Sequence, residues 1–219
     1  MNACATTSAA IPRFLALGDS YTIGEGVAAE GTWPVQLARR LRADGIAIDD
    51  PVVIAKTGWS TDELIVAMDT AALAPPYALV TLLIGVNNQY RGRDIDNYRE
   101  ELAMLLRRAH ALAGTRAQRV TVVSIPDWGV TRFAREQGRD PQRIAVEIDA
   151  FNAAARALAT RAHIDFVDIT EISRKGADRI DMLAADGLHP SAAQYALWTD
   201  AITGGAKRAL TERAPLRND

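Results

Sequence analysis

Ser20 closes the segment "FLALGDS", where an apolar run meets a glycine and an acid, and further glycines follow at 24 and 26. A serine hydroxyl is a poor nucleophile near neutral pH and needs a base to take its proton. The chain holds only 3 histidines, so the candidates are few. His110 lies inside a helical stretch next to an arginine pair and reads as a half-exposed helix residue. His163 precedes the last apolar run, at a helix–strand corner. His189 stands in "DGLHPS", with Asp186 one turn ahead of it. Gly187 permits a tight turn there, and Pro190 restricts His189 to extended backbone. Such a turn can bring the Asp186 carboxylate to one ring nitrogen and leave the other facing a serine. A solvent-exposed histidine in the loop before a helix is the plainer alternative.

Acyl transfer to a serine also needs donors aimed at the developing oxyanion. Three stand at plausible places: the N–H of Ser20, the N–H of Gly58 in "TGWS", and the amide of Asn87 in "LIGVNN". Gly58 could equally relieve a turn, and Asn87 could cap the next element.

These residues sit where apolar runs end. The runs Phe14–Leu17, Val52–Ala55, Leu79–Ile84, Val120–Ile125 and Ile164–Ile169 barely alternate with polar residues, the pattern of strands buried on both faces. Amphipathic stretches lie between them. "TWPVQLARRLRADG" has Thr32 as an N-cap candidate and Gly45 as its stop, and "STDELIVAMDTAAL" opens on Ser60 or Thr61. Helical stripes then run through Tyr98, Leu102, Leu105, Leu106 and Leu112, and through Ile144, Ile148, Phe151, Ala155 and Leu158. A last helix is expected near 192–210, loosened at Gly204-Gly205. Strand–helix alternation predicts a parallel sheet with helices on both faces, one three-layer α/β/α sandwich. Reactive groups then collect beyond the carboxyl ends of the strands. A sharp turn at Gly18 would leave Ser20 open at such an end.

The 219 residues fit one domain over 1–219, with 1–12 expected as a flexible N-terminal segment. A net charge of −2, from 25 Lys+Arg against 27 Asp+Glu, argues against a nucleic acid partner. Cys4 is the only cysteine, so neither an intrachain disulfide nor a cysteine zinc site is expected. No apolar run approaches a membrane span, and the N-terminus lacks the pattern of a secretory signal, so a cytoplasmic setting is expected. A chain already trimmed of its signal would read the same.

Gly18-Asp19-Ser20, Gly58, Gly85-Val86-Asn87 and Asp186-x-x-His189 occur in the order and approximate spacing of the four sequence blocks of the SGNH (GDSL-type) hydrolases, which the chain resembles from residue 18 to 189. The resemblance implies a flavodoxin-like five-stranded sheet of order 2-1-3-4-5 and esterase or acylhydrolase activity without a metal or organic cofactor. It also implies Ser20 as nucleophile, His189 as base, Asp186 as its orienting acid, and Ser20, Gly58 and Asn87 as oxyanion donors. Two positions depart from the family's pattern. Tyr21 replaces the usual leucine of the first block, and Asn88 replaces the usual aspartate of the third.

The expected substrate is a small carboxylic ester. Tyr21, Trp59, Asn88, Tyr90, Trp128 and Leu188 are candidate substrate-binding residues, with Ile23 and Val86 adding apolar surface and Arg91 and Arg93 contacts for an anionic leaving group. Without a lid-sized insertion, short acyl groups are expected over long ones. Deacetylation of a sugar, with Trp59 and Trp128 as stacking surfaces, would use the same triad. A nucleotide-binding module is disfavoured, since "GDSYTIGEG" matches neither G-x-G-x-x-G nor a phosphate loop. A metal-dependent hydrolase using Asp19, Asp186 and His189 is a further alternative.

Overall fold

Apolar runs too short to form stable helices pair as strands, and here they do so side by side. The computed structural model describes residues 10–176 and 179–211. Of the segment expected to be flexible, residues 1–9 lie outside the described ones, and Pro12 is tied down by the N–H of Asp49 (2.9 Å). The strands are β1 (Phe14–Asp19), β2 (Pro51–Lys56), β3 (Leu79–Leu83), β4 (Val120–Val123) and β5 (Asp165–Val167), all parallel in the order β2-β1-β3-β4-β5.

The helices are α1 (Ser20–Ile23), α2 (Trp33–Ala43), α3 (Thr61–Thr70), α4 (Val86–Tyr90), α5 (Ile95–Leu112), α6 (Arg132–Glu136), α7 (Pro141–Arg161), α8 (Thr170–Gly176) and α9 (Ala192–Thr211). Helix α2 packs on α9, and α3, α5 and α7 pack in a row. Their apolar stripes meet strands β1, β3 and β4, where Phe14, Leu15, Leu17, Leu79 and Val80 are wholly buried. Strand order reverses between β1 and β3, so the connections leaving these two strands diverge and open a crevice. The register pairs Asp19 with Lys56 and Gly18 with Leu83, which brings the three strand ends level.

Four expectations are corrected. Strand β2 is not buried on both faces: it forms the sheet edge, and Val52 and Val53 are 42% and 38% exposed. Helix α9 runs unbroken through Gly204-Gly205. Gly205 allows close approach instead, since a Cβ there would lie 3.2 Å from the Asp165 carboxylate. Thr32 occupies the N-cap position of α2, but its hydroxyl donates to the Ala29 carbonyl (2.9 Å) rather than capping the helix.

Gly18 is the fourth. The chain does not turn there, because β1 continues to Asp19. What Gly18 supplies is room. A Cβ at this position would fall 2.1 Å from the Thr22 hydroxyl and 2.4 Å from the Leu83 carbonyl oxygen. The backbone of β3 cannot retreat without breaking its ladder with β1. Gly18→Ala should therefore cost about 1–3 kcal/mol or more through overpacking, read as a lower urea midpoint. An unchanged midpoint would show that the strands tolerate the methyl group.

Candidate active site

Ser20 begins α1, a single turn directly after β1. The preceding Asp19 is its N-cap, whose Oδ1 accepts the Tyr21 N–H at 3.0 Å. Gly24, at φ 77°, ends the turn, and its N–H reaches the Ser20 carbonyl at 3.0 Å. A strand end and a one-turn helix therefore hold Ser20 with little freedom.

The histidine comes from the loop ahead of α9. A bridge between Leu183 and Pro190 pinches this loop, and the Ala184 N–H donates to the His189 carbonyl at 2.7 Å. Gly187 takes φ 69°, left-handed backbone that a glycine adopts without strain. Asp186 Oδ1 accepts the N–H groups of Leu188 (2.9 Å) and His189 (3.0 Å), and its Oδ2 lies 2.6 Å from His189 Nδ1. Burial pushes the Asp186 carboxyl up, but the hydrogen bonds from the His189 ring and from the two N–H groups outweigh it and hold the carboxyl below its usual range. An ionised partner at Nδ1 keeps the proton there. Nε2 is then free to accept, and it lies 2.9 Å from Ser20 Oγ. The imidazole is 6% exposed and packs against the Tyr21 ring, centroids 5.1 Å apart. His110 is half-buried in α5 and His163 is exposed, both away from this cavity.

Gly58 and Asn87 face the same space. Gly58 has φ 85° in the turn after β2, which closes from the Trp59 N–H to the Lys56 carbonyl (3.2 Å). Two bonds tie that turn to the end of β3. Asn87 Nδ2 donates to the Trp59 carbonyl (2.9 Å), and Arg91 Nη2 donates to the Gly58 carbonyl (2.6 Å). An amide nitrogen carries two hydrogens, so Asn87 keeps a second donor.

Together these groups border a cavity of about 210 Å³, whose lining includes Ser20, Gly58, Asn87 and His189. Val86, Tyr90, Trp128, Phe133 and Leu188 supply apolar wall, and Tyr21 and Thr57 complete it. Of the expected substrate-binding residues, Tyr21, Tyr90, Trp128 and Leu188 line it. Trp59 does not: it faces a separate groove of about 600 Å³ along β2 and α3 that contains none of the triad residues. Asn88 does not either. It is wholly buried, its Oδ1 accepting the Thr61 N–H (3.1 Å) and its Nδ2 donating to Thr61 Oγ1 (2.6 Å). Ile23 is half-buried outside the cavity wall.

Arg91 and Arg93 are also committed, to Glu63 (2.9 Å) and Asp62 (2.6 Å). Phe133 was missed from the sequence, although its place in "DWGVTRF", just past Trp128, was the available signal. Among the described residues, no group of three or more His, Cys, Asp or Glu could hold a metal ion, and no helix is long and apolar enough to cross a membrane.

The fold is a parallel α/β sandwich in which an acid, a histidine and a serine stand in one hydrogen-bonded row. The chain belongs to the GDSL-like lipase/acylhydrolase family, which it matches over residues 16–197, and it is a carboxylic ester hydrolase. No curated protein sequence matches it. Among solved structures it is similar in fold to TesA (20% identity, TM-score 0.72, covering 90% of this chain and 99% of that one). It is also similar to a lipase/acylhydrolase from Enterococcus faecalis (19%, TM-score 0.71, covering 94% and 100%). The psychrotrophic esterase EstA from Pseudoalteromonas sp. gives 17%, TM-score 0.68, and coverage of 91% and 99%.

One further group shapes the site from beneath. Asp19 is fully buried, and burial pushes its carboxyl up to about 8 despite the N–H bonds that favour its charge. An unfolded aspartate titrates near 4. Between these values the folded chain keeps a proton that the unfolded chain has released, so this group's contribution to stability falls as pH rises. The contribution is complete below about 4 and lost above about 8. Asp19→Asn stays neutral throughout and should flatten that slope. Urea midpoints near pH 5 and pH 8 should differ more for the wild type than for the variant, and equal slopes would refute a protonated Asp19.

Proposed function

We propose that the protein hydrolyses short-chain carboxylic esters through an acyl-serine intermediate, with Ser20 as nucleophile, His189 as general base and Asp186 as its orienting acid. The relay from Asp186 Oδ2 through the imidazole to Ser20 Oγ, at 2.6 and 2.9 Å, carries this reading. Nε2 takes the hydroxyl proton as Oγ attacks the ester carbonyl, and the anionic Asp186 stabilises the imidazolium that forms. Charge moving onto the carbonyl oxygen is met by the N–H groups of Ser20 and Gly58 and by Asn87 Nδ2. The imidazolium then protonates the leaving alkoxide. A water activated by the same nitrogen releases the acid and restores Ser20.

The small cavity, about 210 Å³ and bounded by the bulky Trp128 and Phe133, supports short acyl groups. Trp128 is buried and its N–H is held by Gln89 Oε1 (2.7 Å), which makes it a fixed wall and a poor stacking surface for a sugar.

Ser20→Ala and His189→Ala should each lower kcat by on the order of 10⁴ or more, because the two residues act as one unit. His110→Ala and His163→Ala should stay within a few-fold of wild type. Mass spectrometry after treatment with an aryl phosphonate should place the adduct on Ser20, and an adduct at any other residue would end the proposal.

Asn87→Ala should lower kcat by about 10²–10³ with little change in KM, as expected for a donor that acts on the transition state. Asn88→Ala should instead lose stability, about 1–3 kcal/mol, because it strands the buried Thr61 N–H. Asn88→Asp should destabilise as well, since a carboxylate cannot donate to Thr61 Oγ1, which itself already donates to Glu101. Comparing kcat on an aryl acetate with thermal melting separates these roles. A catalytic defect confined to the Asn88 variants would show that the roles of the two asparagines are reversed.

A further inference from the structure

Tyr90 also borders a second cleft, of about 570 Å³, where α5 and α7 begin and where Ile144 and Phe151 contribute apolar surface. Arg139 enters this cleft from the end of α6, its guanidinium carbon 5.2 Å from the Tyr90 ring centroid and 5.3 Å from that of Trp128. Both rings line the Ser20 cavity, and Arg139, which lines the cleft, stands against both of them.

The other charges of the cleft are engaged. Arg93 pairs with Asp62 (2.6 Å) and Arg143 with Glu147 (2.8 Å). The second oxygen of Glu147 accepts from Gln89 Nε2 (2.7 Å). Asp94 and Asp140 cap α5 and α7, each through Oδ1. Arg139 is the exception. Among the described residues its side chain forms no ion pair or hydrogen bond, and aromatic rings are its contacts. A guanidinium held against aromatic rings in this way keeps its N–H donors, a group suited to a carboxylate. Gly92 and Gly138 border the cleft, and a Cβ on either would meet nothing within 4 Å, so the mouth is open.

We propose that this cleft is a distal subsite for esters that carry an anionic group, a carboxylate above all, and that Arg139 is the residue that recognises it. The proposal rests on the esterase reading of the Ser20 cavity. It moves the anion contact from Arg91 and Arg93, which form ion pairs, to the arginine that forms none and that reaches Glu147 only through its field. The ester carbonyl would sit at Ser20, the adjoining chain would pass Tyr90, and the terminal carboxylate would meet the guanidinium edge. Because the contact lies away from the reacting bond, it should hold substrate and transition state alike and appear in KM.

The test compares matched neutral and anionic esters. A carboxylate on the acyl side is tested by aryl hemiglutarate against aryl butyrate, and one on the alcohol side by 4-acetoxybenzoate against phenyl acetate. In the series whose anion reaches the cleft, Arg139→Gln should lower the anionic-to-neutral ratio of kcat/KM roughly 3- to 10-fold. The loss should lie in KM, shrink near 1 M salt, and be partly restored by Arg139→Lys. An unchanged ratio in both series would overturn the proposal. The wild-type rate on the neutral esters reports on the esterase reading alone, so the two failures are distinguishable. Without turnover, calorimetric titration of Ser20→Ala with monoethyl glutarate and with 4-acetoxybenzoate should show weaker binding of at least one ligand once Arg139→Gln is added. Equal affinities for both would also overturn it.

Discussion

In the proposed mechanism, everything reactive depends on the hydrogen bond between Asp186 and His189 Nδ1. It is a local bond, made within one turn, yet it sets the proton on the ring nitrogen that faces away from Ser20. With the tautomer reversed, Nε2 would carry the hydrogen and could not take one from the serine. The turn is over-determined for this purpose. One carboxylate oxygen is spent on the backbone N–H groups of Leu188 and His189, which leaves the other in a single direction. Helix α6 braces the loop from outside, the Phe133 N–H reaching the Gly187 carbonyl at 3.0 Å and Arg132 reaching that of Ala185 at 2.9 Å. Phe133, which supplies apolar wall to the cavity, thus lies in the first turn of the helix that steadies the loop of His189.

The partner of that bond arrives from the far end of the chain. Ser20 is brought to His189 by the sheet, and the tolerance is small because Gly18 lets β1 and the first turn of α1 close to a distance that no side chain would permit. Close packing then leaves the Asp19 carboxyl fully buried, where the neutral form is favoured. A neutral Asp19 suits the chemistry. It caps α1 without placing a negative charge under a serine that must itself become electron-rich. The acid that must stay charged, Asp186, is the more exposed of the two, with 39% of its side chain open to solvent. Two carboxyls near one serine are therefore driven to opposite states by their surroundings.

Much of this was legible in the sequence, and what was not has physical causes. Helix stripes and apolar runs report burial through local periodicity, so the strands, the longer helices and the α/β class followed directly, while the short helices α1, α4, α6 and α8 carry too little periodicity to be seen. The turn Asp186–His189 was legible because its geometry is contained in a few residues. The exposure of β2 was not, since an edge strand one layer from solvent carries the same Val-Val-Ile run as a central one. Sheet order decides the matter, and no local pattern encodes it. Asn88 was misplaced because its partner, Thr61, is remote in sequence and close only after β2 and β3 are brought into register. Trp59 was misplaced because a single residue's step around the Gly58 turn sends its side chain into the groove along β2 and α3.

Helix α4 shows why that one-residue resolution matters. Successive residues on a helix point about 100° apart, so one turn distributes its side chains around the full circle. Asn87 turns toward the cavity, and its amide also holds the Gly58 turn. Asn88 turns into the core and fastens the start of α3 through Thr61. Gln89 reaches across to the Trp128 N–H and on to Glu147, fixing the ring that bounds the acyl space. Tyr90 closes the circle at the mouth, its ring at 5.1 Å and 65° to that of Trp128. Donor, core anchor, wall anchor and rim are thus assigned by helical phase alone, and inserting or deleting one residue after Gly85 would exchange all four roles at once.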